Sequence, residues 1–313
     1  MSLKTIFAEE LLWKITDGKH EFQQGVTALL SGGMGSGKTT LLLHLLDYLY
    51  ADGREVVFWR GREIDQWHHA DHRVEFRIFH HVDDRIQFEA DSEIKQYYEL
   101  YPYKTIREII RNADSEMVNV VYPPSADWRA EYSDQNLVTI YKEYKQARIL
   151  AANELNTTRH AFWYSFIYEM LKLKSFASLF FDEFDDIAER YAKGYKYYML
   201  NFLMNALRYF RQRKLSLYGA TQVVTDIDSR ILGKMMFYLY MAGSKVHRDS
   251  ILDPKKVKFA ELGHAFIEEK NTGTWAKFSF PDRGIITTLL VTLRGIQSTE
   301  DDDFEMVEVE GVM

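Results

Sequence analysis

The sequence predicts an α/β fold with a central, mostly parallel sheet and an antiparallel C-terminal extension. Three observations carry that expectation. A short apolar strand runs straight into a glycine-rich turn and a helix at residues 26–53. A second apolar run ends in two acids at Leu179-Phe-Phe-Asp182-Glu183. Further apolar runs of strand length alternate with helical stretches, which is the order of a parallel sheet covered by helices.

VTALL at 26–30 reads as the first buried strand, and LLLHLLDYLYADG as a helix closing near Gly53. EVVFW at 55–59 is the next strand. Residues 61–155 read as a core strand, VNVVYPP at 118–124, with inserted material around it. That material includes the alternating run VEFRIF at 74–79 and a helical stretch TIYKEYKQARILAANEL. A helix over HAFWYSFIYEMLKL precedes the strand SLFF at 178–181. Helical residues follow from about 186 to 212, then the strand LSLYGATQ at 215–222. A short helix near 226–234 leads to the strand MMFYLYMAG at 235–243. Residues 256–280 suggest a hairpin turning at Asn271–Thr272–Gly273. The whole of 1–313 is expected to be a single domain with a family-specific insertion at about 61–155 and an acidic tail at about 298–313, STEDDDFEMVEVEGVM.

Composition narrows the function classes. Charged residues are 27% and hydrophobic ones 46%, so a mostly disordered chain is excluded. There are 0 cysteines, which removes disulfide scaffolds, thiolate metal sites and cysteine nucleophiles. The N-terminal stretch MSLKTIFAEELLWKITDGKH does not read as a signal peptide. No run of about 18 apolar residues occurs, so no membrane span is expected and the location is expected to be cytoplasmic. A net charge of -7 leaves nucleic acid open as a partner, because a local basic surface can supply the field.

The glycine-rich turn fits G-x-x-x-x-G-K-[ST] at every position: Gly32, Gly33, Met34, Gly35, Ser36, Gly37, Lys38, Thr39, followed by Thr40. Such a loop turns its backbone N–H groups onto phosphate oxygens, and the helix N-terminus adds partial positive charge. Lys38 is expected to reach the β- and γ-phosphates and the Thr39 hydroxyl to ligate Mg²⁺. The ligands expected are therefore ATP and Mg²⁺. Asp182 stands at the carboxyl edge of its strand, where it would hold the metal with Thr39. Glu183 beside it would act as general base toward water. Asp185 and Asp186 read as helix-start acids that favour the dipole.

An adjacent Asp-Glu pair favours water as the acceptor. No N-K-x-D for guanine and no L-S-G-G-Q signature occurs. Three segments then give a resemblance. Phe181-Asp-Glu-Phe-Asp-Asp-Ile187 resembles the DEFADL-type acidic strand of the FtsK/HerA superfamily of DNA-pumping ATPases. Arg211-Gln-Arg-Lys-Leu-Ser-Leu-Tyr-Gly-Ala-Thr-Gln222 resembles that superfamily's next strand. Gly263-His-Ala-Phe-Ile, Trp275 and Phe278-Ser-Phe-Pro281 resemble its closing strands. The likeness covers about 26–60 and 175–281.

The resemblance implies a RecA-like P-loop NTPase fold and an ATPase that translocates or packages double-stranded DNA as an oligomeric ring, a hexamer. It implies a sensor role for Gln222 and an arginine finger, acting on a neighbour's nucleotide, for Arg211, with Arg213 and Arg230 as rivals. A capsid or membrane partner would recruit such a motor. Zot-like phage assembly is one alternative, and a nucleotide-dependent switch without translocation is another. Lys193, Lys196, Lys245, His247, Arg248, Lys255, Lys256 and Lys258 would meet DNA phosphates if they line a ring pore. The aromatic stretches at 97–103 and 191–210 could stack on bases, though core or subunit packing is the commoner use. His68 and His72 have i,i+4 spacing, a weak zinc pattern that nothing nearby completes.

Overall fold

The computed structural model describes residues 3–90, 97–124, 159–193, 195–283 and 288–295. The helical stretch expected at 139–155 and the acidic tail lie outside the described residues.

The main sheet has ten strands. In chain order they are β1 (Thr27–Ser31), β2 (Val56–Arg60), β4 (Phe76–His81), β6 (Tyr98–Tyr103), β7 (Val118–Val121), β8 (Ala177–Phe181), β9 (Leu215–Thr221), β10 (Phe237–Met241), β11 (His264–Glu269) and β12 (Thr274–Ser279). Across the sheet they run β12-β11-β10-β1-β9-β8-β2-β7-β4-β6. From β10 to β6 every pairing is parallel. β11 and β12 close the other flank as an antiparallel hairpin, with Glu269 opposite Thr274 around the expected turn. A second sheet of three strands, β3 (Ile64–Asp65), β5 (Asp84–Ala90) and β13 (Leu289–Gly295), runs in the order β3-β13-β5.

The central strands are buried along their whole length, so TALLS, ASLFF and LSLYGAT read as continuous apolar runs rather than alternating ones. Helices cover both faces. On one face lie α1 (Leu3–Ile15) and α3 (Lys38–Asp52), whose Leu11, Ile15, Leu42, Leu46 and Leu49 meet Ala28, Leu30 and Trp59. Between them comes the short α2 (Gly18–Glu21). On the other face lie α4 (Ile106–Asn112), α5 (Arg159–Met170) and α7 (Tyr195–Phe210), packing Ile109, Phe162, Phe166 and Leu203 onto Phe58, Leu179 and Leu217. The remaining helices are single turns: α6 (Asp185–Ala188), α8 (Ser229–Leu232) and α9 (Pro254–Lys258).

Two expectations need correction. The helix expected over 186–212 is two helices, α6 and α7, because Glu189 leaves helical geometry (φ -53°, ψ 129°) and bridges to Ile227. His68 and His72 do not share a helix: Trp67–His69 is one 3₁₀ turn, and no metal-holding group of three acids or histidines occurs among the described residues. The described part of 61–155 adds β4, β6 and β7 to the same sheet beyond β2. The N-terminal helix and the second sheet had no sequence signal strong enough to predict them.

The amino edge of the parallel strands holds a buried ion pair. Lys19 Nζ lies 2.6 Å from Glu55 Oε1 and donates to Ser178 Oγ at 2.9 Å, while Ser178 Oγ donates to Glu55 Oε2 at 2.6 Å. It fixes the α1–α2 segment to the sheet. The carboxyl edge is left to the loops described next.

Candidate nucleotide-binding site

The site is assembled at the carboxyl ends of β1, β8 and β9, the edge where parallel sheets place their ligands. β1 ends at Ser31 and the loop 32–37 runs directly into α3. Two glycines are sterically required. Gly37 caps α3 at φ 90°, in the left-handed region. A Cβ on Gly32 would stand 2.3 Å from Ser36 Oγ and about as close as Cβ atoms come to Met241 Cβ (3.0 Å) and Ser36 Cβ (3.1 Å), so a side chain there would crowd the closed loop. The loop is also braced from the next strand, since Gly33 N donates to Ala242 O at 2.9 Å. Met34 is 90% exposed, consistent with a position that offers backbone rather than side chain.

Lys38 folds back over the loop and donates to the carbonyls of Gly32 and Gly33, both at 2.9 Å. Burial lowers its pKa, with Asp182, Asp185 and Glu183 opposing through their charge. Thr39 Oγ1 donates to Asp182 Oδ2 at 3.1 Å. The two residues expected to share a metal stand 143 positions apart in sequence, and the fold brings them to hydrogen-bond distance. A hydroxyl and a carboxylate beside a lysine are a donor set that suits Mg²⁺, which favours few carboxylates plus phosphate oxygens. The Ser36 hydroxyl is buried without a hydrogen-bond partner among the described residues, aimed into the same loop. The residues present fit a magnesium–nucleotide complex.

Glu183 has φ 57°, a left-handed conformation that costs a side-chain-bearing residue about 1–2 kcal/mol. Its carboxylate pairs with Arg62 at 2.7 Å, and its backbone N donates to Asp182 Oδ1 at 3.2 Å. Burial alone would lower the Arg62 pKa; the charges of Asp182 and Glu183 outweigh it and raise it. The turn is held from below by Arg60, at the end of β2. Its guanidinium donates to Asp182 O at 3.1 Å and Glu183 O at 3.0 Å, pairs with Asp186, and lies 4.5 Å over the Phe181 ring. Sequence reasoning missed both arginines. The only available signal was an Arg-x-Arg directly after an apolar strand. Asp185 is also more than a helix-start acid: it is half-buried near Lys38, and burial pushes its carboxyl up from the ordinary range.

Gln222 follows β9, which lies between the loop strand β1 and the acid strand β8. Ser31 pairs with Thr221, so Gln222 comes level with Gly32, and its side chain is exposed. It stands between the phosphate loop and the acids. Arg211 does not join this group. It precedes β9 at the amino edge of the sheet and hydrogen-bonds Gln24. Arg213 is exposed at the same edge. Arg230 is anchored by Asp228 and by Asn201 Oδ1 at 2.6 Å. Any catalytic role for Arg211 is therefore toward a neighbouring copy.

The strand order β10-β1-β9-β8-β2, with a glycine loop after β1 and acids after β8, is decisive. This is a P-loop NTPase fold. No family model matches the sequence, and no curated protein matches it. Among solved structures, the chain is similar to the genome packaging NTPase B204 from Sulfolobus turreted icosahedral virus 2. That match has 14% identity, a TM-score of 0.48, and covers 82% of this chain and 97% of the other. The pCW3 conjugation coupling protein TcpA matches at 14% identity and TM-score 0.38, over 82% of this chain and 60% of that one. The N-terminal domain of zonular occludens toxin from Neisseria meningitidis matches at 9% identity and TM-score 0.33, over 83% and 96%. These neighbours are distant, and the fold stands on the strand order and the loop. No helix among the described residues is long and apolar enough to cross a membrane.

Proposed function

We propose that this chain is an ATP-hydrolysing motor that translocates or packages double-stranded DNA as a ring of copies, a hexamer, inside the cell. The observation that carries the reading is the Thr39–Asp182 contact, with Glu183 next in chain and Gln222 just past the end of the strand between. That set binds a triphosphate and supplies a base for water.

Lys38 leaves the Gly32 and Gly33 carbonyls and donates instead to β- and γ-phosphate oxygens. Bound Mg²⁺, held by Thr39 and Asp182, would neutralise phosphate charge. Glu183 turns from Arg62 and accepts a proton from the water that attacks the γ-phosphorus, while the bond from that phosphorus to the β–γ bridging oxygen breaks and ADP departs with the electron pair. Gln222 hydrogen-bonds that water and reports the loss of the γ-phosphate along β9. Arg211 of one copy completes the site of the next as an arginine finger.

DNA contact is supported by the segment after β10. Lys245, Arg248, Lys255, Lys256 and Lys258 are all exposed there, on the chain that braces the phosphate loop through Ala242. Phosphate contacts of this kind make binding fall with salt.

The test is the ATPase rate with and without long double-stranded DNA, over a range of protein concentration and salt. Concentration-dependent stimulation that high salt abolishes is expected. Turnover indifferent to DNA would overturn the motor reading in favour of a nucleotide switch. Mixing Arg211→Ala with Lys38→Ala chains should recover activity that neither has alone; no recovery at any ratio removes Arg211 as the finger.

A further inference from the structure

The acids that mark the γ-phosphate end of the site lie on the β9–β8 side of the loop. A triphosphate laid along the loop with its γ end there has its nucleoside on the opposite flank, toward β10, β11 and β12. One aromatic ring stands on that flank against the loop itself. Phe280 follows β12, and its ring edge is 3.0 Å from where a Cβ on Gly37 would be, with Thr40 Cβ 4.0 Å from the same point. Thr40 and His44 are spaced i, i+4, so they share one face of α3, next to its cap Gly37. Phe280 rides that face, 6.5 Å from the His44 ring in an edge-on arrangement.

The ring is held there by its own segment. Phe280 N donates to Gly263 O at 2.8 Å. Pro281 O accepts from His44 Nε2 at 2.9 Å. Arg283 donates to His69 O at 2.7 Å and to His44 Nδ1 at 3.2 Å, and pairs with Asp47. His44 is thereby fixed as the tautomer with its proton on Nε2. Residues 280–283 form a strap across the first turns of α3, and the Phe280 ring that begins it is only half-buried.

From this geometry we propose that Phe280 is the platform on which the base of the bound nucleotide stacks, with the His44–Arg283 strap as its support. The proposal rests on the nucleotide-binding reading above and names the residue that contacts the base. A stacked base contributes about 10- to 100-fold in affinity, while the phosphates gain nothing from the ring.

The experiment is calorimetric titration of the full chain, with Mg²⁺ present, by ATP and separately by inorganic tripolyphosphate. Wild type, Phe280→Ala and Phe280→Trp are compared. Phe280→Ala should weaken ATP by about tenfold or more and leave tripolyphosphate unchanged. Unchanged tripolyphosphate binding also shows that the loop is still folded. Phe280→Trp should retain ATP affinity, with its added fluorescence altered by ATP and not by tripolyphosphate. Equal weakening of both ligands by Phe280→Ala would overturn the proposal and leave the ring a buttress for Gly37. Unchanged ATP affinity would overturn it as well. A wild-type chain that binds neither ligand would instead sink the nucleotide-binding reading, and this proposal with it.

Discussion

Replacing Arg60 with Met keeps the length of the side chain and removes its charge and donors. Two hydrogen bonds to the carbonyls of Asp182 and Glu183 are lost, and bonds from a charged donor contribute about 1.5–3 kcal/mol each before desolvation of the guanidinium is deducted. The pair with Asp186 adds little, about 0–1 kcal/mol, because that carboxylate is 45% exposed and water replaces the partner. The contact over Phe181 adds about 0.5–2 kcal/mol. Relief of burying a charge offsets part of the total. Arg60→Met should therefore cost about 2–4 kcal/mol, read as a lower urea midpoint at constant slope. The catalytic effect should be larger than stability alone explains. Glu183 is held at φ 57° with a strain of about 1–2 kcal/mol, and Arg60 is what grips its carbonyl. Released, the turn should relax and carry the carboxylate away from the place the proposed mechanism gives it. Each 1.4 kcal/mol of lost positioning is about tenfold in turnover. ATPase rate at saturating ATP, measured well below the unfolding temperature, checks this. A variant within about 0.5 kcal/mol of wild type and with unaltered turnover would refute the account of Arg60 as the support of the acidic turn.

Two further predictions rest on single groups. Glu183→Gln should bind ATP as wild type does and lose about 10²–10⁴-fold in turnover, by direct binding and single-turnover assays; normal hydrolysis would place the base elsewhere. Asp65, on β3 of the second sheet, is buried and accepts from Trp59 Nε1 at 3.0 Å and Arg62 N at 3.0 Å. Burial raises its pKa from 3.8 to about 6. The folded state therefore binds this proton more tightly than the unfolded chain, so stability is full below pH about 4 and declines as pH rises through about 6. The loss is roughly 3 kcal/mol, and Asp65→Asn should flatten the pH dependence of the urea midpoint in that window. A wild-type profile retained in the variant would assign the slope to another group.

The phosphate loop was legible from sequence because its chemistry is local. Glycines, the lysine and the threonine act at fixed short spacing, and a strand and a helix flank them in chain order. The acids after β8 were legible for a similar reason: an apolar run buried on both faces can end in a carboxylate only at its solvent edge. The central strands were found to within one or two residues, since burial on both faces leaves a continuous apolar signature. Partnerships across the sheet were not legible. Arg60 and Arg62 are ordinary basic residues in sequence, and only the adjacency of β2 and β8 puts them under the acidic turn. Phe280 read as part of a closing strand; the fold alone carries it to Gly37. The strand order had to be seen as well, because parallel pairing is set by burial of helices on both faces rather than by any property of one strand. Arg211 shows the same limit from the other side, since its place at the amino edge gives it work only if a second chain is there. The sequence by itself determined the glycine-rich loop and its lysine and threonine, because that motif lies in one contiguous stretch. Tertiary structure decided which side chains brace the acidic turn and which ring lies against the loop, because those contacts join residues more than a hundred positions apart.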